Sequence, residues 1–196
     1  MVLETRNSPI AVNVTLTNDL GKKKPDDEGD ELADFSKLLI KTSNSPLYGN
    51  ISLVAVPESL TGGSDLDVSS RWELEGGKFA VDTFTSNSPL HVNFSHAPID
   101  SILRFIGFTT HAPAVTFLHP TFQGDFLVKS TLFGPKIDIN QDVKDPKGEG
   151  RTRTVGVSKV GKQIVGKVYW GSEEESKDAF GHVKFGSTLL PATLKL

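Results

Sequence analysis

Residues 85–118 read T-S-N-S-P-L-H-V-N-F-S-H-A-P-I-D-S-I-L-R-F-I-G-F-T-T-H-A-P-A-V-T-F-L. One short phrase occurs three times in this stretch, as Ser86-Asn87-Ser88-Pro89, Ser95-His96-Ala97-Pro98 and Thr110-His111-Ala112-Pro113, and a fourth copy is Ser43-Asn44-Ser45-Pro46. Weaker echoes are Asn7-Ser8-Pro9, Phe133-Gly134-Pro135 and Leu190-Pro191. Proline fixes its own φ, lacks an N–H, and holds the residue before it extended. Asn and Ser side chains bond nearby backbone and so satisfy a bend. Each copy therefore reads as a corner between extended segments.

The residues after each corner alternate in polarity, as in Ile10, Val12, Val14, Leu16 and again in Leu90, Val92, Phe94. Period two marks half-buried strands. By the same signals, strands are expected near 7–16, 37–42, 47–56, 70–75, 78–84, 99–106, 126–128, 152–158, 163–170, 182–186 and 192–196. A hairpin is expected where Arg71-Trp72-Glu73-Leu74 meets Phe79-Ala80-Val81-Asp82 across Gly76-Gly77. The corner prolines at 46, 89, 113 and 135 lie 43, 24 and 22 residues apart, near the spacing of short structural repeats. The expected fold class is all-β, with corner-and-strand repeats forming a β-sandwich or a short β-solenoid.

The 196 residues suit a single β domain, 1–196, with polar loops at 17–34 and 140–151. A formal charge of −3 gives no argument for nucleic acid or an anionic membrane. Cysteine is absent, which rules out disulfides and thiol chemistry. No segment reads as a signal peptide or a membrane span, so a cytoplasmic location is expected. The sequons at Asn13, Asn50 and Asn93 fall inside strand text and read as strand residues. The first strand, tied to the rest by a long polar loop, points to a homodimer formed by strand exchange.

Few motifs carry chemistry. Gly156-Val157-Ser158-Lys159-Val160-Gly161-Lys162 approaches a phosphate-binding loop but continues into Gln163 and strand text, so it reads as a hairpin turn. Asp138, Asn140 and Asp142 alternate along a strand exit and could gather oxygens for Ca or Mg, although the glycine of a calcium loop is replaced by Val143. Nine of the twelve phenylalanines lie between 79 and 133, beside four of the five histidines. Such a cluster is either a core or the lining of an apolar pocket. As a pocket it would use Phe94, Phe105, Phe117, His91, His96, His111, Trp72 and Trp170. No nucleophile elbow or close carboxylate pair stands out, so the expectation is a protein that is not an enzyme.

The whole chain resembles a family of uncharacterised repeat-containing domains of mushroom-forming fungi. The resemblance rests on the T-S-N-S-P and S-H-A-P phrases, on Leu118-His119-Pro120-Thr121-Phe122-Gln123-Gly124, and on Asp145-Pro146-Lys147-Gly148-Glu149-Gly150-Arg151. Val168-Tyr169-Trp170-Gly171 and Leu190-Pro191-Ala192-Thr193-Leu194 add to it. More distantly, the repeats are similar to bacterial adhesin-type β-repeats. The fungal likeness includes small β-rich chromoproteins, and it implies a non-covalent indolone-type pigment as ligand. The leading expectation is thus a non-enzymatic small-ligand-binding protein holding a flat aromatic pigment. The competing expectation is a structural or interaction module of adhesin-like kind.

Overall fold

The computed structural model describes residues 1–20, 32–56, 76–174 and 180–196. Among these there are fourteen strands and no helix, hence no helix long and apolar enough to cross a membrane. The strands are β1 (Val2–Glu4), β2 (Ile10–Asp19), β3 (Ser36–Lys41), β4 (Leu47–Val56), β5 (Lys78–Phe84), β6 (Leu90–His96) and β7 (Ile102–Thr109). They continue with β8 (Ala114–Phe117), β9 (Gly124–Ser130), β10 (Lys136–Asp138), β11 (Arg153–Val160), β12 (Gln163–Trp170), β13 (Gly181–Ser187) and β14 (Ala192–Lys195). Expected strand 70–75 lies outside the described residues.

Two sheets result. One has eight strands in the order β1-β3-β5-β7-β13-β9-β12-β11, and the other has six in the order β10-β14-β8-β6-β4-β2. Pairing is parallel except where β12 meets β9 and β11. From β2 to β9 each strand is followed by one in the other sheet, so the next strand of the same sheet returns pointing the same way. Parallel neighbours need a long crossover, usually a helix; here a strand of the facing sheet supplies it.

This corrects the expected β-sandwich or short β-solenoid. Sandwich sheets are antiparallel, joined by hairpins and Greek-key connections, whereas these sheets are parallel-rich. A solenoid stacks its coils in chain order, whereas here β13 lies between β7 and β9, and β14 between β8 and β10. The hairpin expected across Gly76-Gly77 is corrected for the same reason. Both edges of β5 carry parallel partners, β3 and β7, and residues 71–74 lie outside the described set.

The corners explain the stacking. Backbone bonds run Asn44 N to Arg6 O, Asn87 N to Ser43 O, His111 N to Ser86 O, Leu189 N to Thr110 O and Leu132 N to Thr188 O. Six turns therefore align, led by Thr5, Thr42, Thr85, Thr109, Ser187 and Ser130 and closed by prolines 9, 46, 89, 113, 191 and 135. Hydroxyls of this row answer corner carbonyls: Thr85 and Thr109 Oγ1 both donate to Ser88 O, Ser187 Oγ to Ala112 O, and Ser130 Oγ to Leu190 O. Outside, Asn87 Nδ2 donates to Asn44 Oδ1 at 2.7 Å and Asn44 Nδ2 to Asn7 Oδ1 at 2.8 Å. The copy at Ser95–Pro98 is different: it ends β6 at the opposite end of the molecule.

Between the sheets lies one apolar core. In-register rows such as Leu47, Leu90, Ala114 and Ala192 point inward. Phe94 of the six-stranded sheet meets Phe105 of the eight-stranded sheet edge-on at 5.1 Å, and Phe105 stacks on Phe185 at 6.1 Å. Gly107 makes room for this cluster, since a Cβ there would stand 2.6 Å from the Phe105 ring. Each buried phenylalanine contributes about 1.5–3 kcal/mol, so this cluster anchors the sheets to one another.

Candidate functional site

Short uniform corners close one end of the molecule. The other end carries the variable loops, among them 97–101, 118–123 and 139–152, and loops on a rigid scaffold are where functional groups concentrate. A cavity of about 610 Å³ opens on the outer face of the eight-stranded sheet over β9, β11, β12 and β13. Its floor is apolar: Leu127 and Val165 are register neighbours, and Val157 stands opposite Gly166. Tyr169, Asp125, Lys167 and Lys184 border it. Gly166 allows the curl of this hairpin, because a Cβ there would come within 2.3 Å of both the Phe126 ring and the Gly156 carbonyl oxygen.

A second cavity of about 540 Å³ adjoins the first and shares Asp125 and Lys184 with it. His182 Nδ1 lies 2.7 Å from Asp125 Oδ1, and Lys167 pairs with Glu173 at 2.5 Å. Lys184 has no ion pair among the described residues. On the same face, burial raises the Asp82 carboxyl above its usual range, and Arg104 partly offsets that.

At the loop end the chain buries a polar cluster. His119 is 1 % exposed and its Nδ1 lies 2.5 Å from Thr121 Oγ1. Burial first, then the charges of His96 and Arg153, lower its pKa to about 3. Gln123 ties the loop to β12, accepting the Trp170 N–H and donating to Asp100. Beside it, Asp145 accepts the backbone N–H groups of Lys147, Glu149 and Arg151 and the Arg151 guanidinium, which hold its carboxyl well below the usual carboxylate range.

The residues that sequence reasoning proposed as one pocket are dispersed. Phe94 and Phe105 are core residues in mutual contact, with Phe105 also bordering the second cavity. His91 and Phe117 lie on the outer face of the six-stranded sheet, ring centroids 5.3 Å apart. His96 closes β6 at the loop end, His111 is exposed at a corner, Trp170 is buried with its Nε1 on Pro120 O, and Trp72 lies outside the described residues. Parallel stacking separates them, because Phe94 and His91 point to opposite faces of one strand.

Asp138, Asn140 and Asp142 are also employed locally. Asp138 faces Lys195 at 3.9 Å, and Asn140 Oδ1 accepts the Asp142 N–H at 3.0 Å. No group of three or more His, Cys, Asp or Glu side chains is placed to hold a metal among the described residues. The three sequons align across β2, β4 and β6, where Asn93 Nδ2 donates to Asn50 Oδ1 at 2.8 Å and Ser52 Oγ lies 3.0 Å from Ser95 Oγ. Sequence reasoning missed the outer-face cavity, Arg153, and the burial of His119. Comparison of the chain with protein-family models, with curated proteins and with solved structures finds no match.

Proposed function

We propose that this protein is a non-enzymatic binder of a small, flat aromatic ligand held without a covalent bond. The observation that carries this reading is the cavity of about 610 Å³ with a floor of Leu127, Val157 and Val165 and a border of Tyr169, Lys167 and Lys184. An apolar concavity with a few converging polar groups is the usual form of a small-molecule site. A sheet floor favours a planar molecule, and Lys184 offers it a cation. The resemblance to the fungal domains, and within them to the pink chromoprotein of oyster mushrooms, makes an indolone-type pigment the ligand class to test first. A cytoplasmic, homodimeric protein belongs to the same proposal. Solvent extraction and the absorption spectrum of native protein test it: a bound chromophore released on unfolding supports the reading, and a colourless protein with no extractable ligand refutes it.

A second reading, an interaction module, is favoured by one observation. The outer face of the six-stranded sheet aligns Tyr48, His91 and Phe117 beside the ladder of Asn50 and Asn93, a surface that offers rings and amides together.

A further inference from the structure

On the outer face of the six-stranded sheet, the register places Tyr48 level with His91, and Asn13 level with Asn50 and Asn93. Side chains two residues apart share a face, so a row of rings and a row of amides stand side by side across the strands. Between them lies a cavity of about 510 Å³, a groove over β2, β4 and β6. Gly49 adds no side chain to its floor. The Tyr48 and His91 rings are 6.2 Å apart, and the row continues to Phe117, 5.3 Å from His91. There Lys195 Nζ lies 4.6 Å over the Phe117 ring and ends it.

The protein does not use up the polar groups of this groove. Asn93 Nδ2 donates to Asn50 Oδ1 at 2.8 Å, which leaves Asn50 Nδ2 and Asn93 Oδ1 without a partner among the described residues. The Asn13 amide, the Tyr48 hydroxyl and the His91 ring nitrogens have no hydrogen-bond partner there either. No acid, lysine or arginine lines the groove, so a charged ligand would find nothing to balance it. A purely aromatic ligand would cover the amides and leave them unpaired. A sugar suits both walls, because each hydroxyl donates and accepts and the C–H face of a pyranose packs on a ring. The ring-and-amide pair of β4, Tyr48 and Asn50, recurs on β6 as His91 and Asn93. Neighbouring strands lie about 4.8 Å apart, close to the advance of one sugar in an extended chain.

Within the reading of this face as an interaction surface, we propose that the groove binds one extended, neutral glycan chain of β-1,4-linked pyranoses. One sugar lies between Tyr48 and Asn50 and the next between His91 and Asn93. Asn50 Nδ2 and Asn93 Oδ1 supply a donor and an acceptor to their hydroxyls, and Asn13 extends the amide wall onto β2. The groove is on the opposite sheet from the cavity over β9, β11, β12 and β13 and needs no ligand there.

The test is calorimetric titration of the full chain near neutral pH with cellohexaose, a β-1,4 glucan, and with laminarihexaose, a β-1,3 glucan whose chain curls. Cellohexaose should bind one to one and laminarihexaose much more weakly. Tyr48→Ala removes a half-exposed ring and should weaken the apparent Kd about tenfold or more, as should Asn50→Ala. Tyr48→Phe keeps the ring and should stay within about threefold of wild type. If Asn50→Ala does not fold, Tyr48→Ala carries the comparison. Equal binding of cellohexaose by wild type and Tyr48→Ala overturns the site. Stronger binding of laminarihexaose, lost in the same variants, overturns the extended chain while this face remains an interaction surface. Binding of neither glucan overturns the proposal, while the broader interaction reading falls only if Tyr48→Ala also leaves the chain's capture of protein partners unchanged.

Discussion

Removing the imidazole of His119 should change how stability depends on pH. The folded pKa, about 3, is depressed from an unfolded value of 6.5, so the unfolded chain takes up the proton first. The neutral ring's full contribution is present above about pH 6.5 and is lost as pH falls toward 3. At about pH 5 the loss spans roughly 1.5 pKa units, or about 2 kcal/mol at 1.36 kcal/mol per unit. No carboxylate opposes it, since the charged groups acting on the ring are His96 and Arg153. Asp145 has the opposite history: its folded pKa is depressed below the ordinary carboxylate value of 3.8, so its contribution fades only below about pH 4. Asp82, raised by burial, and Asp145 titrate alike in wild type and variant, so the difference between the two at pH 5 isolates the histidine. Urea unfolding of wild type and His119→Gln at about pH 7.5 and pH 5 should show wild type losing about 2 kcal/mol more than the variant. An identical loss in both would refute the claim that His119 is buried and neutral.

Other outcomes follow from the packing. Gly124 has φ +151° and a Cβ there would stand 2.1 Å from the Gly181 carbonyl oxygen, whereas Gly161 at φ +59° has open space. Gly161→Ala should cost about 1–2 kcal/mol from the left-handed backbone alone, and Gly124→Ala several kcal/mol more or the fold itself; equal losses in urea unfolding would contradict the seating of β13 against β9. Asn44 bonds both Asn7 and Asn87, so Asn44→Ala should cost about 1–2 kcal/mol and Asn7→Ala about half that in the same assay; equal costs would show that the amide ladder contributes nothing. The outer edge of β2, between Pro9 and Asp19, carries neither proline nor lysine among Ile10–Asn18, an undefended edge. Light scattering should find a dimer that Thr15→Lys dissociates, and an intact chain that is monomeric at high concentration would refute it.

Local structure was largely legible in the sequence. Period-two text marks β4, β6 and β12, and the N-S-P phrase marks the corners, because both are consequences of residues adjacent in the chain. Strand order was not, since it depends on which distant corners align. The corner at Leu189-Leu190-Pro191 has lost its asparagine, so nothing in it advertises a place between the turns ending at Pro113 and Pro135. Ser95-His96-Ala97-Pro98 misled in the opposite sense, because a strand exit and a corner share the same hydroxyl and proline chemistry. The phenylalanine cluster was visible as apolar mass, but whether it closes or encloses depends on how Phe94 meets Phe105 across the sheets. Arg153 reads as an ordinary surface strand residue, and that its Nε and Nη2 are buried emerges only from the fold.

Native mass spectrometry and absorption spectroscopy of the purified protein, paired with Val165→Trp, test the ligand-binding reading most directly. Val165 is 37 % exposed on the cavity floor, so the larger ring fills the site without entering the core. Wild type should carry a one-to-one complex with a flat aromatic molecule that the variant loses, with Tm otherwise unchanged. A wild type that carries and accepts no such molecule, or a variant that binds it as well, would refute ligand binding at this cavity.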